Sequence, residues 1–343
     1  MIRVAVVSPE PTPYRAPLFD RIAARDDVAL TVVYAARTVA GRDWSVQVGH
    51  PAVFLEGRRI PGAQRLLRHD YPLTPRVARA LREAAPDVVV VAGWSTFASQ
   101  AALAWCALHR VPYVLHVESH DLGPRPRWRR AVKGAVATPV IRNAASVLAV
   151  GSAARASALA RGAKRVRVFA NTIDVGRWIE RAQRLAPAPH DGVVALSVGR
   201  DVPEKAFDVL VRACEQAGVR LELVTGGLGE EELAQRYVDA DVFALLSRHE
   251  TWGVVVNEAA ASGLPLVVSD RVGAAHDLLR DGENGYFVPA DDVAAAADAL
   301  RRLAADRDLR GRMGERSREL VRAWDYDASV EAFVEAVREA AAR

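Results

Sequence analysis

Short runs of β-branched and other apolar residues recur along the chain, each followed by a stretch of Ala, Leu and Arg at helical spacing. In the first half, residues 2–8, 29–34, 87–92, 113–117 and 146–150 read as strands. In the second half the same pattern places strands at 193–198, 220–224, 242–246, 265–269 and 285–288. Most of the runs are largely apolar rather than alternating, as expected for strands covered on both faces. Helices are expected at 17–25, 74–85, 96–109 and 139–143, then at 206–217, 230–238, 254–262, 293–304, 306–322 and 327–342. Strand alternating with helix predicts parallel sheets flanked by helices. The chain has 343 residues, more than the ~250–300 at which a single core stops growing. Two Rossmann-like domains follow, residues 1–180 and 190–324, joined by a Pro-containing linker at 182–192. The amphipathic stretch 325–343 is expected to pack back on the first domain.

No apolar run reaches the ~18 residues of a membrane span. The apolar stretch near the start runs at once into Glu10 and prolines, unlike a secretory signal. The two cysteines, Cys106 and Cys214, lie far apart, which excludes a disulfide framework and fits a reduced, cytoplasmic setting. Charge is distributed unevenly. Residues 1–180 carry 26 Lys and Arg against 13 Asp and Glu, whereas residues 181–343 carry 20 against 29. An anionic partner for the first half is one reading of this; an Arg-rich composition with no such partner is the other.

Ligands of parallel sheets bind beyond the carboxyl ends of the strands, so the loops there carry the chemistry. Neither half has G-x-G-x-x-G after its first strand, and no P-loop motif occurs, which removes most support for a dehydrogenase or a P-loop nucleotidase. The loop after 242–246 holds Glu250, Thr251, Trp252, Gly253 and Val254, and opens a helix carrying Glu258. The free N–H groups of that first helical turn suit a diphosphate, and Gly253 permits close approach. Two carboxylates, eight positions apart, flank the helix start and suit ligand hydroxyls. Gly199, Arg200 and Lys205 follow another strand and offer cations to phosphate, while Gly226 and Gly227 form a glycine-rich turn after a third. There is no His/Cys cluster of metal-ligand spacing, so no metal site and no cofactor are expected.

In this order, G-R-x₄-K, G-G-x-G, E-x₇-E, then Ser269 to Gly273 and Asp281 to Gly285, the chain resembles glycosyltransferase family 4. The resemblance implies a GT-B fold, two Rossmann-like domains with parallel sheets facing across a cleft, and retention of anomeric configuration. It implies a nucleotide-diphosphate-sugar donor, UDP or GDP undecided, and a metal-independent hexosyltransferase. Arg200 and Lys205 would hold the diphosphate, Glu250 with the backbone of Thr251 to Val254 the donor sugar, and Glu258 the ribose. The leaving phosphate would help to deprotonate the acceptor. The span Gly229 to Tyr237 lacks a strand–helix unit usual in the family. In the first half, Tyr14-Arg15 before Pro17-Leu18-Phe19 resembles a subset of family 4. Tyr14, Arg15 and Trp94 fall on the acceptor side, and His120, just past a strand end, resembles the cleft histidine that contacts donor or acceptor. His116 is its rival but lies within a strand, where alternation buries it. Asn171 and Asp174 resemble a structural turn before the linker.

The expectation is a glycosyltransferase acting on a glycan, lipid-linked or small-molecule acceptor in surface glycan or glycolipid assembly. The alternatives are a nucleotide-sugar epimerase of the same fold and a non-catalytic binding module. Arg125, Arg127, Trp128, Arg129, Arg130 and Lys133 bracket an aromatic with cations, and Arg58, Arg59, Arg65 and Arg68 mix cations with leucines. Both suit an anionic membrane surface, hence peripheral attachment to the inner face of the plasma membrane. No nucleic-acid motif accompanies the charge.

Overall fold

Among the described residues, largely apolar runs of three to seven residues form twelve parallel strands in two sheets. The computed structural model describes residues 1–38, 46–59, 71–123 and 126–343, except the side chains of Arg129, Arg130 and Val132. The first sheet comprises β1 (Ile2–Ser8), β2 (Val28–Tyr34), β3 (Ala52–Phe54), β4 (Val88–Ala92), β5 (Tyr113–Val117), β6 (Ser146–Ala149) and β7 (Val166–Val168), in the order β3-β2-β1-β4-β5-β6-β7. The second comprises β8 (Val194–Val198), β9 (Arg220–Val224), β10 (Val242–Leu245), β11 (Leu266–Ser269) and β12 (Gly285–Val288), in the order β12-β11-β10-β8-β9. Every pairing between these strands is parallel, with Val6 opposite Val32 and Val90 in the first sheet and Phe243 opposite Leu196 and Leu266 in the second. Each sheet reverses its strand order once, beside its first strand: between β1 and β4, and between β8 and β10. Loops splay apart at such points and leave a crevice for a ligand.

Both faces of each sheet are covered. Val4, Val6 and Val32 meet the closing helix Tyr326–Ala341 through Phe333 and Val337, while Val7, Val89 and Val91 meet Leu81, Ala102 and Ile141 on the other face. Arg167 pairs with Glu335 and Glu339 and so ties that helix to the first sheet. Residues 175–180, assigned to the first domain on sequence, pack on the second instead. Val175, Trp178 and Ile179 join Tyr237, Val256 and Ala260 in one cluster. Their helix, Val175–Arg184, is capped by the Asp174 carboxylate, which accepts from the Arg177 N–H at 3.0 Å. It also shortens the linker, since Ala182 to Arg184 are helical.

Three further differences have local causes. Strand β3 is a three-residue edge strand, too short to show as a hydrophobic run. The helix Ser152–Ala160 has no side-chain cap and low amphipathicity because it is mostly Ala and Ser. The helix expected at 139–143 begins at Arg127, with Pro139 inside it. A proline within a helix removes one hydrogen bond and crowds the preceding turn, and buried Ala137 and Ile141 hold the helix to its sheet despite it. Between β9 and β10 the single helix Glu230–Val238 makes the whole crossover.

Candidate functional site

The second domain assembles its candidate residues at the reversal between β8 and β10. After β8 the backbone turns through Gly199 (φ +156°), where an added Cβ would lie 2.9 Å from Lys205 Cε. Glycine here lets the lysine stem cross the backbone. Lys205, at the end of the short 3₁₀ turn Pro203–Lys205, then places Nζ 2.5 Å from Glu250 Oε2. Both side chains are largely buried, at 15% and 20% exposure. A charge-assisted pair of this kind holds both groups in one geometry. Sequence suggested Glu204 or Asp201 as the lysine's bland partners; the fold brings Glu250 instead, across adjacent strands. Arg200 is exposed and makes no ion pair among the described residues.

Glu250 is fixed by its backbone. Its N–H donates to the Arg271 carbonyl, and its own carbonyl accepts from Gly273 N–H. An added Cβ at Gly273 would lie 2.2 Å from the Thr251 carbonyl oxygen, so only glycine permits that approach. Gly253 takes φ +97° and opens the helix Val254–Ser262, whose first bonded N–H is that of Val256. The N–H groups of Val254 and Val255 point out of the helix start, next to the Lys205–Glu250 pair. Gly226 and Gly227 (φ +139° and +80°) are exposed beyond β9, with open space where a side chain would stand.

Glu258 lies on the same helix and accepts from Tyr237 Oη at 2.8 Å. Burial pushes its carboxyl up to about 7 from the usual 4.5, the Tyr237 hydrogen bond opposing the shift only in part. A carboxyl raised on folding stabilises the fold below about 4.5, and that contribution is lost as pH rises through about 7. Glu258→Gln removes the ionisation. The melting temperature of the variant relative to wild type is therefore expected to climb between pH 5 and 8 in thermal scans of the ligand-free protein, within the general logic of linked protonation. A difference independent of pH would refute the buried carboxyl.

The Trp252 indole is not at the donor side. It is 2% exposed, donates to Asn257 Oδ1 at 3.0 Å and packs on Trp324. Asn257 continues to Thr172 Oγ1 at 3.2 Å, which joins the helix to the first domain. Two more contacts close the domains. The Ser152 N–H donates to Asp277 Oδ2 at 2.8 Å, and His120 Nε2 donates to the Glu250 carbonyl at 2.8 Å. His120 Nδ1 accepts from the Leu122 N–H at 3.3 Å. Both ring nitrogens are thus engaged within the protein, and His120, expected to meet donor or acceptor, braces the Glu250 loop from the first domain.

The first domain contributes a cavity of 460 Å³ at the reversal between β1 and β4. Tyr14 and Arg15 from the loop after β1, and Trp94 after Gly93 at the end of β4, line it together with Thr251 of the second domain. It therefore opens towards the Glu250–Gly253 loop. Arg15 is buried and does not reach in as a free cation: its Nη2 donates to Glu118 and, at 3.0 Å, to Asn171 Oδ1. Burial alone would raise the Glu118 carboxyl, but Arg15 outweighs it and holds Glu118 at about 2. Glu10, Tyr71, His116, Glu118 and Lys133 also line this cavity; on sequence His116 stands only as the rival of His120, and the other four are not site candidates. A signal did exist for His116 and Glu118, which share one face at the end of β5.

Lys133 was grouped with the basic run. The structure separates it: its Nζ donates to Asp121 Oδ1 at 3.1 Å and it lines the cavity. Five helical positions turn it roughly 140° from Trp128, which is 64% exposed. Arg125 lies outside the described residues, as do Arg65 and Arg68 of the second run, and the Arg129 and Arg130 side chains are not described.

Comparison with known proteins fits this geometry. The model of the glycosyl transferase 4-like domain matches residues 4–172, and that of glycosyl transferases group 1 matches residues 222–320. The chain is 30% identical over 283 residues to a GDP-mannose-dependent alpha-mannosyltransferase of Mycobacterium tuberculosis, covering 73% of each. It is 33% identical over 196 residues to the lipopolysaccharide core biosynthesis glycosyltransferase LpsE of Rhizobium meliloti, covering 50% of this chain and only 57% of that protein. Among solved structures it resembles sucrose-phosphate synthase from Thermosynechococcus elongatus, with TM-score 0.73, 19% identity and 98% of each chain covered. It also resembles Anabaena HepE in complex with UDP-glucose, with TM-score 0.70, 18% identity, and 98% and 99% covered.

Proposed function

The chain belongs to the GT-B glycosyltransferases built from a 4-like domain and a group 1 domain, and on that premise we propose that it is a retaining, metal-independent hexosyltransferase. The donor is a nucleotide-diphosphate sugar, and the acceptor is a hydroxyl group in glycan or glycolipid assembly. The observation that carries this reading is the Lys205–Glu250 pair at 2.5 Å beside the helix start at Gly253. Lys205, Arg200 and the N–H groups of Val254 and Val255 face the diphosphate and take up the charge that develops on the leaving phosphate. Glu250, oriented by Lys205, accepts from hydroxyls of the donor sugar. Glu258 takes the ribose hydroxyls beside the Tyr237 hydroxyl it already accepts from. The acceptor hydroxyl enters from the cavity past Thr251 and gives its proton to the departing phosphate oxygen. Catalysis on this account is positioning and electrostatic stabilisation.

UDP-sugars and GDP-sugars are tested in parallel, with nucleotide release measured with and without acceptor extracts. Faster release with acceptor supports transfer. An inverted sugar without release would mean an epimerase, and neither outcome would mean a binding module. Because protein cations neutralise the diphosphate, activity should survive excess EDTA; loss on chelation, rescued by Mg²⁺ or Mn²⁺, would overturn metal independence.

Location is part of the proposal: the enzyme works in the cytoplasm, at the inner face of the plasma membrane. Support comes from Trp128, 64% exposed at the start of the Arg127–Asn143 helix, next to Arg127. An exposed aromatic among cations suits a headgroup boundary. Co-sedimentation should require anionic liposomes, weaken with salt, and fall when Arg127 and Trp128 are changed to Ser. Equal recovery in the supernatant with anionic and neutral liposomes would point to a soluble acceptor.

A further inference from the structure

The cavity of the first domain has a charge balance that selects among acceptors. Its cations among the described residues are Arg15 and Lys133. Each is already matched by a carboxylate: Arg15 by Glu118, and Lys133 by Asp121 at 3.1 Å. A further carboxylate, Glu10, lines the wall and accepts from Tyr71 Oη at 3.2 Å. Among the described residues, a phosphate or carboxylate group entering here meets two cations whose charge is already matched and two lining carboxylates, Glu10 and Glu118, so binding would cost desolvation with little return.

Polar groups that suit hydroxyls are present instead. His116 is 4% exposed and lines the cavity, and its Nε2 has no hydrogen-bond partner. Ser119, also lining it, has an unpartnered buried Oγ. Buried polar groups left without partners are uncommon, and His116 Nε2 and Ser119 Oγ both belong to residues that line this cavity. Burial, reinforced by the neighbouring Arg15, pushes His116 down to about 3. The ring is therefore neutral, and a neutral imidazole can both donate to and accept from hydroxyl groups. Trp94, Tyr14 and Tyr71 add aromatic surface, and the 460 Å³ volume falls within the ~300–1,000 Å³ range of small-molecule sites.

We propose that this cavity is an acceptor subsite for an uncharged sugar ring, with His116 and Ser119 reading its hydroxyls, and that it discriminates against phosphorylated acceptors. Sequence reading set His116 aside as a buried strand residue. It is indeed buried, yet it borders the cavity, and it determines specificity while His120 braces the domains. The inference rests on the transferase reading for the word acceptor, but the binding chemistry stands by itself.

The test measures binding by calorimetry, using the nucleotide-saturated protein and methyl glycosides of glucose, mannose and galactose, against glucose 6-phosphate, mannose 6-phosphate and inorganic phosphate. At least one neutral glycoside should bind saturably, with the phosphorylated sugars weaker by about 10-fold or more. His116→Ala should weaken the neutral glycoside about 10-fold, the scale of one hydrogen bond, and His116→Asn should recover part of it. Nucleotide affinity should not move. Because His116 packs on Phe169, Asp121→Asn provides a second variant: it removes the carboxylate charge that Lys133 meets at 3.1 Å and should narrow the gap between phosphorylated and neutral sugars. Equal or tighter binding of the phosphorylated sugars by wild type, no binding of any neutral glycoside, or unchanged affinity in His116→Ala would overturn the proposal. Donor hydrolysis on the same preparations separates the two readings. Hydrolysis that persists while sugar binding fails removes only the subsite, whereas loss of nucleotide binding and hydrolysis removes the transferase reading.

Discussion

Lys205→Ala and Glu250→Ala should each lower kcat by about 10²–10³-fold, while the far-ultraviolet circular dichroism and the cooperativity of melting stay those of the wild type. The magnitude is that of removing one preorganised charge contact to a developing oxyanion, about 3–4 kcal/mol. The two residues act as a unit, since Nζ and Oε2 lie 2.5 Å apart and each orients the other. The double variant should therefore lose little more than either single one, because members of a coupled set are not additive. Lys205→Arg should restore little activity: the guanidinium is wider than an ammonium, and Gly199 leaves the lysine stem a narrow passage over the backbone. Near wild-type rates in both alanine variants would place the donor elsewhere.

Gly151→Ala should lower kcat about 100-fold although Gly151 touches none of the proposed donor or acceptor groups. The residue precedes the Ser152–Ala160 helix in an extended conformation that alanine adopts without strain (φ −175°). Its added Cβ would lie 2.2 Å from Trp252 Cζ3 and 2.5 Å from Asp277 Oδ2, both in the second domain. Neither can yield easily, because the indole is packed on Trp324 and hydrogen-bonded to Asn257, and the carboxylate accepts from Ser152. The methyl group must then pry the domains apart at this point. A displacement of about 1 Å between reacting groups is enough for a 100-fold loss. Donor affinity should change far less than kcat, since the donor groups all belong to the second domain. Equal losses in donor affinity and kcat would mean that the substitution disturbs the donor loop itself rather than the closure.

The sequence by itself determined the elements that propensity and burial dictate locally. Unbroken apolar runs such as 88–91 and 266–268 are strands covered on both faces. Gly253 and Gly263 bound a helix because both take positive φ, which glycine adopts at little cost. Those signals, with the order of strand-end loops, were enough to bring Lys205, Glu250 and Glu258 forward as candidates and to anticipate two parallel-sheet domains. They could not supply partners. The Lys205–Glu250 pair joins residues 45 positions apart, which meet because β8 and β10 are neighbours in the sheet although β9 lies between them in sequence. The same reason hid Arg15 with Glu118, 103 positions apart, and the turning of Lys133 away from the basic run towards Asp121. His120 and His116 exchange their expected places for a related cause: the loop after β5 folds onto the second domain, so the histidine past the strand end becomes a brace and the one inside the strand borders the cavity. Local sequence fixes which face a side chain takes along its own strand or helix. What faces that side chain is set by strand order and domain closure, and these depend on contacts distant in the chain.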